Sequence, residues 1–273
     1  MVEHSTRSAK HRVAQAAQPD AWAGVCWARR HRPPSPMRVL LTSDLHYRLP
    51  HYDWLTRAAR DFDAVAIAGD HLDGGQPVPA YVQIRALRAS LAAIAEQAHV
   101  FACSGNHDLN ARGAGGEKVA EWIQGCRAGN LAVDGDSVTV RDVLVTVCPW
   151  WDGPATRADV EQLLDQAATR RHDKWIWLYH APPTGKLSWT GKRHYGDDLL
   201  PQLIERHRPT AVLCGHIHEA PFQTGGSWCE RIGDTWLFNA GRQPGPVPAR
   251  VELDLARGEA KWITAEGVET QPL

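Results

Sequence analysis

The sequence predicts an α/β fold in which two mixed sheets pack face to face with helices outside. Three observations predict it. Short hydrophobic runs alternate with helix-like segments in the first half, the alternation resumes near residue 175, and the chain closes on a β-rich stretch. Five of these runs also end in a short polar motif. Val39-Leu40-Leu41 precedes Asp44-Leu45-His46, Val65-Ala66-Ile67 precedes Gly69-Asp70, and Val100-Phe101-Ala102-Cys103 precedes Gly105-Asn106-His107-Asp108. Ile176-Trp177-Leu178 precedes His180, and Ala211-Val212-Leu213-Cys214 precedes Gly215-His216-Ile217-His218. Ligands bind outside the carboxyl ends of strands in open α/β sheets, so strands lying side by side gather these five tips at one edge.

In chain order, strands at 38–43, 64–68 and 98–103 alternate with helices near 51–60 and 78–96, a βαβ pattern. A helix near 117–127 follows. Val138-Thr139-Val140 and Val143-Leu144-Val145-Thr146-Val147, separated by Arg141-Asp142, read as an antiparallel pair. The next helix spans about 156–170, with Thr156 and Asp159 near its start as capping-type residues. A strand at 175–179, a helix near 197–207 and a strand at 210–214 lead into strands at 227–231, 235–239, 250–255 and 260–264. There is no fixed-period repeat and no linker between the halves, and the polar tips are divided between them. Residues 37–273 therefore read as one domain whose halves do not work separately.

The 273 residues suffice for a sizeable buried core. No apolar run reaches the roughly 18 residues that span a bilayer, and the N-terminus lacks the apolar stretch of a secretory signal. A soluble chain without membrane partners is expected. The six cysteines (26, 103, 126, 148, 214, 229) form no Cys-x-x-Cys pair, and three lie inside strand-like runs, which suits a reduced cytoplasmic setting. Residues 1–36 carry six basic and two acidic side chains, a net of +4, against −5 for the remainder. This segment ends in Arg32-Pro33-Pro34-Ser35-Pro36 immediately before Met37, and it reads as a disordered basic tail or a translation-start artefact. A nucleic-acid or targeting role for it is the weaker reading.

Carboxylate and amide oxygens mixed with imidazoles suit Mn, Fe or Zn, and the tips hold no cysteine of the kind structural zinc sites use. The ordered set D-x-H, GD, GNHD, H and GHxH resembles the calcineurin-like metallophosphoesterases. The resemblance implies a four-layer αββα sandwich and two divalent or trivalent metal ions. It further implies that one ion is held by Asp44, His46, Asp70 and His218 and the other by Asp70, Asn106, His180 and His216, with Asp70 bridging. Such a pair acidifies a bridging water and clamps the attacking and leaving oxygens of an in-line displacement at phosphorus. His107 is then placed at the leaving group as a proton or hydrogen-bond donor, with Asp73 at the family position that orients it.

The departures carry as much as the matches. The protein Ser/Thr phosphatase branch follows the second Asp with a phosphate-gripping arginine, whereas this chain has Gly74. The purple acid phosphatase branch keeps a metal-bound tyrosine where Asp73 stands. The full Gly-His-x-His ending is similar to the bacterial phosphodiesterase-like branch, which makes a small phosphodiester, such as a nucleotide, the expected substrate. A phosphomonoesterase, a nuclease of the same superfamily and a non-catalytic scaffold are the alternatives. Filled ligand positions disfavour the scaffold, and the acidic core and lack of an added DNA-binding segment disfavour the nuclease. Lys192, Arg193 and His194, beside Trp189, and Arg48, two residues beyond His46, are candidate substrate contacts. Asn239, Gly241 and Arg242 are candidates for the pocket rim. Most of the twelve tryptophans read as core, with Trp150-Trp151 and Trp189 set in loops. His51, His71, His99, His172 and His207 match no motif and read as surface or structural.

Overall fold

The computed structural model describes Met1 and residues 37–170 and 172–273. The tail expected to be disordered lies, apart from Met1, outside the described residues. The described residues from Met37 onward belong to one compact unit.

The first half runs β1 (Arg38–Thr42), α1 (Leu49–Ala58), β2 (Ala64–Ala68), α2 (Ala80–Ala95) and β3 (His99–Cys103). A small hairpin, β4 (Ala111–Arg112) and β5 (Lys118–Val119), precedes α3 (Glu121–Gln124) and β6 (Leu131–Val133). The second half runs β7 (Ser137–Val140), β8 (Val143–Val147), α4 (Pro154–Ala168), β9 (Lys174–Leu178), α5 (Leu200–His207) and β10 (Ala211–Cys214). The chain ends in β11 (Cys229–Ile232), β12 (Thr235–Asn239), β13 (Arg250–Asp254), β14 (Glu259–Ile263) and β15 (Val268–Pro272). One sheet has the order β15-β14-β13-β1-β2-β3-β6 and the other β11-β12-β10-β9-β8-β7.

Both sheets are mixed, and their centres are parallel. β1, β2 and β3 pair in parallel, as do β8, β9 and β10, so the tips after β1, β2 and β3 face the same way and the tips after β9 and β10 do likewise. The alternation of side chains along each strand builds the layers. Val39, Leu41, Ala66, Ala68 and Phe101 of the first sheet share a core with Val145, Val147, Ile176, Leu178 and Leu213 of the second. The opposite face of the first sheet, Leu40, Val65, Ile67 and Val100, packs on Tyr52 and Leu55 of α1 and Leu87, Leu91 and Ile94 of α2. Leu144, Trp175, Trp177 and Val212 of the second sheet pack on Val160 and Leu164 of α4 and Leu203 and Ile204 of α5. Three cores between four layers make the expected αββα sandwich.

Several boundaries differ from the sequence expectation. The helix expected near 117–127 shrinks to Glu121–Gln124 because Gly125 and Gly129 flank a short turn and the segment before it is the β4–β5 hairpin. β6 has only three residues, too few to show a period. β15 is mostly exposed and lacks an apolar face, and it forms by adding backbone hydrogen bonds to the edge of β14.

Candidate metal centre

The five tips meet where the two sheets face each other. Asp44, His46, Asp70 and His218 bring one ligand atom each within 4.8 Å of one another, and so do Asp70, His180 and His216. Asp70 belongs to both groups. Its Oδ2 lies 3.7 Å from His46 Nε2, 3.5 Å from His180 Nε2 and 4.0 Å from His107 Nε2. His46 Nε2 and His218 Nε2 are 3.1 Å apart, and His218 Nε2 is 3.3 Å from Asp44 Oδ1.

Two buried atoms point into this space without a hydrogen-bond partner, Asn106 Oδ1 and His180 Nε2. Leaving buried polar atoms unpaired costs about 1–3 kcal/mol each, so a cluster of them aimed at one point asks for a cation. The tautomer of His180 agrees. Its Nδ1–H donates to the Ala68 carbonyl at 2.6 Å, so Nε2 is the atom turned to Asp70, protonated in the absence of a cation and free to coordinate one once that proton is released. The donor set therefore suits metal binding, with Asp70 common to both groups.

Electrostatics describe the same arrangement. Burial holds His46 and His216 down at about 4, against the pull of Asp70 and Asp44, so both are neutral ligands at physiological pH. Burial also acts to lower His180, but the adjacent Asp70 carboxylate outweighs it and holds the imidazole up at about 9. Burial alone would raise Asp70, yet His180 and His107, the latter partly through its backbone N–H at 2.9 Å, keep it ionised.

The local backbone is unusual at the ligands themselves. Asp44, His46, Asp70 and His216 have φ of 56°, 41°, 54° and 71°, the left-handed region that side chains other than glycine avoid. Cross-loop hydrogen bonds hold them there: Asp44 N–H donates to Gly69 O, His46 N–H to Asp70 O and His216 N–H to the Asp44 carboxylate. The motif glycines are needed for close approach. A Cβ on Gly105 would stand 2.2 Å from Asp70 Oδ1, and one on Gly215 2.7 Å from Asp44 Oδ2.

Of the seven predicted metal-binding residues, Asp44, His46, Asp70, His180, His216 and His218 converge in these two groups, and the seventh, Asn106, lies on the loop after β3 with its buried Oδ1 unpaired. His107 stands beside them, its side chain 45% exposed and its ring edge-on to His46 with centroids 4.9 Å apart. Asp73 does not reach it. The Asp73 carboxylate accepts from Gly75 N–H and Gln76 Nε2 and so caps its own turn, and no hydrogen bond joins it to His107 among the described residues. Lys192, Arg193 and His194 are exposed and turn inward on their own loop. His194 packs on Trp189 and bonds Gly185 O, and Arg193 covers Tyr195. Among the described residues, none of the three contacts a ligand. Arg48, by contrast, lines a cleft beside His218 together with Arg242.

Sequence reasoning left three contributors without a role. Asp108, fully buried, accepts from the His71, Leu72 and Gly105 N–H groups at 2.8–3.2 Å and so ties the loop after β2 to the loop after β3. His71, read as surface or structural, is buried, with Tyr52 Oη on Nδ1 and the Cys103 carbonyl on Nε2. Trp150 is set against His180 and His216 and stacks at 5° on Trp151, which Arg157 covers from 3.5 Å. Asn239, placed at the rim by sequence, holds the Ile217 carbonyl and so fixes the loop between His216 and His218.

Comparison with solved structures agrees with this architecture. TT1561 of Thermus thermophilus is 17% identical and superposes with a TM-score of 0.54, covering 87% of this chain and 99% of its own. A second crystal structure covers the same shares at 15% identity and a TM-score of 0.58. YfcE, a phosphoesterase from E. coli, is 15% identical with a TM-score of 0.42, covering 86% of this chain and 99% of its own. No curated protein sequence matches the chain. No helix among the described residues is long and apolar enough to cross a membrane. The calcineurin-like phosphoesterase family model matches residues 37–220, which hold every ligand from Asp44 to His218, and the chain belongs to that family.

Proposed function

We propose that the protein is a dinuclear, metal-dependent hydrolase of small phosphodiesters. The observation that carries this reading is Asp70, whose one carboxylate belongs to both ligand groups, with Asp44, His46 and His218 on one side and His180 and His216 on the other, where Asn106 would complete the second set. Two cations held there would acidify a water and neutralise the charge of a phosphoryl group between them. Mn, Fe and Zn all match a set of oxygens and imidazoles.

The chain's own groups do the remaining work. His107 Nε2 reaches the ligand cluster from the open side, where it donates a proton or hydrogen bond to the departing oxygen. Asp70, accepting the His107 N–H, keeps that histidine's backbone in register with the metals. Metals held by Asp44, Asp70 and the histidines would supply the activated water, so no covalent intermediate on a side chain would be needed. The diester preference rests on Gly74, exposed and with open space around its Cα, where the protein phosphatases keep a guanidinium for a dianionic monoester. Buried unpaired thiols at Cys103, Cys148 and Cys214 accord with a reducing cytoplasmic setting.

The test is metal analysis after expression with Mn or Fe, joined to turnover of bis(p-nitrophenyl) phosphate and p-nitrophenyl phosphate. About two ions per chain and a kcat/KM several-fold higher on the diester are expected. Fewer than one ion after reconstitution would overturn the dinuclear assignment, and a monoester preference would overturn the substrate class.

A further inference from the structure

Next to His218 the site opens into a cleft of about 530 Å³ whose walls include Arg48, Arg242, Glu219, Glu266 and Phe222. That is room for a substantial part of a small ligand. Both arginines are held beside the ligand loops. Arg48 follows the β1 tip that supplies Asp44 and His46, and Arg242 follows β12, its backbone N–H donating to the His218 carbonyl at 3.1 Å.

The state of the two guanidiniums is the telling feature. Both are half-buried, and neither side chain has a hydrogen-bond or ion-pair partner among the described residues. Other arginines of this chain do find carboxylates: Arg127 pairs with Asp136, Arg157 with Asp197, Arg206 with Asp165 and Arg250 with Glu252. Glu219 and Glu266 share the cleft wall, yet neither pairs with Arg48 or Arg242. The two cations also stand near one another, since both charges bear on the buried His51. Like charges held together, partly desolvated and unpaired, are stabilised by an anion between them, and a guanidinium fork matches phosphate oxygens.

We propose that this cleft binds a second phosphate joined to the scissile one, so that the substrate is a diester of the diphosphate type, a nucleoside diphosphate ester being the simplest member. The inference rests on the phosphodiesterase reading above and narrows it. The scissile phosphorus lies at the ligand cluster, and the second phosphate extends past His218 between Arg48 and Arg242. The oxygen of water bonds the scissile phosphorus, the bridging P–O bond breaks, and its electron pair departs with the second phosphate. The two protons of water end on the two phosphomonoester products, one each. The guanidiniums, charged at any physiological pH, neutralise the charge that grows on the departing phosphate. Phe222, partly exposed at the cleft, offers a ring face to the organic group beyond it.

The experiment compares wild type with Arg242→Ala, Arg48→Ala and Arg242→Lys, all loaded with Mn²⁺. Hydrolysis of a UDP-hexose is measured beside that of thymidine 5′-p-nitrophenyl phosphate, a diester with no second phosphate. Binding of α,β-methylene-ADP and of AMP is measured by calorimetry. The ratio of kcat/KM, UDP-hexose over simple diester, should fall at least tenfold in each alanine variant, mainly through KM. Affinity for α,β-methylene-ADP should fall by at least tenfold and that for AMP by less, with Arg242→Lys in between. Equal losses on both substrates, or an unchanged affinity ratio, would overturn the second-phosphate site while leaving the phosphodiesterase reading intact. Wild-type protein that turns over neither substrate would overturn both.

Discussion

Asp108 ligates nothing, yet its replacement should be among the most damaging single changes at the site. Its two carboxylate oxygens accept from three backbone donors: His71 N–H at 3.0 and 3.2 Å, Leu72 N–H at 2.9 Å and Gly105 N–H at 2.8 Å. Asp108→Ala leaves all three donors buried and unpaired. At about 1–3 kcal/mol each the simple sum is about 3–9 kcal/mol, comparable with the whole stability of a typical domain. Asp108→Asn keeps one acceptor oxygen and turns an amide N–H₂ against the Gly105 donor, so one pairing is lost and about 1–3 kcal/mol is expected. Position matters more than the total. His71 follows Asp70, the proposed bridge, and Gly105 precedes Asn106, so loosening either donor displaces a proposed ligand. A second-sphere loss of this kind lowers metal affinity by about 10- to 100-fold. Urea unfolding of the metal-free proteins gives the stability change, and competition with a chromogenic chelator gives the metal affinity. A loss below about 1 kcal/mol in Asp108→Ala, or unchanged affinity in a folded Asp108→Asn, would refute the staple.

Gly105→Ala should fold yet fail to load metal, since its Cβ would sit 2.2 Å from Asp70 Oδ1 and 2.7 Å from His180 Nε2; a normal metal content would show that the loop gives way there. His107→Ala should keep its metals and lose about 10²- to 10⁴-fold in turnover of an alkyl ester, and less with a nitrophenolate leaving group. Equal losses on both esters would assign His107 to phosphate binding instead. Burial pushes the Asp134 carboxyl up to about 7, so between about pH 4 and 7 the unfolded chain gives up a proton that the folded chain keeps, and stability falls as pH rises through that window. The decline is bounded at about 4 kcal/mol and should be absent from Asp134→Asn, which unfolding curves at pH 5 and pH 7.5 would reveal; parallel pH slopes in the two proteins would sink the assignment.

What could be read from the sequence was whatever a hydrophobic run announces. β1, β2, β3, β9 and β10 are buried strands, and each delivers its polar tip one to four residues past its end, which is why Asp44, His46, Asp70, His180, His216 and His218 gather in two groups that could hold metal. Elements formed by context were missed. β15 pairs because the edge of β14 is open, while its own residues carry no period. Asp108 and Asp134 were illegible for a related reason: in sequence a buried acid that satisfies backbone N–H groups looks like any solvated acid, even when it is the last letter of a motif. Asp73 failed in the opposite sense, because its spacing from Asp70 matched a family position while a local Asp-x-Gly turn captured its carboxylate.

These polar supports and the ligand geometry are two sides of one requirement. Four ligands sit at positive φ, at a cost of about 1–3 kcal/mol each, and they bring two carboxylates and four imidazoles into van der Waals range. The Asp70–His180 and Asp44–His218 attractions offset only part of that cost without cations. The surrounding structure must therefore over-determine it. Asp44 holds the His216 N–H, Asp70 the His107 N–H, Asp108 the loops after β2 and β3, Ala68 the ring of His180, and Asn239 the loop between His216 and His218. Two of these supports, Asp44 to the His216 N–H and Ala68 to the His180 ring, join a strand end of one sheet to a strand end of the other and so couple the two sheets at the site. Cutting any one of them should thus register first in metal affinity and only afterwards in global stability, whereas a change of similar size in the outer helix cores, such as Leu91→Ala, should do the reverse.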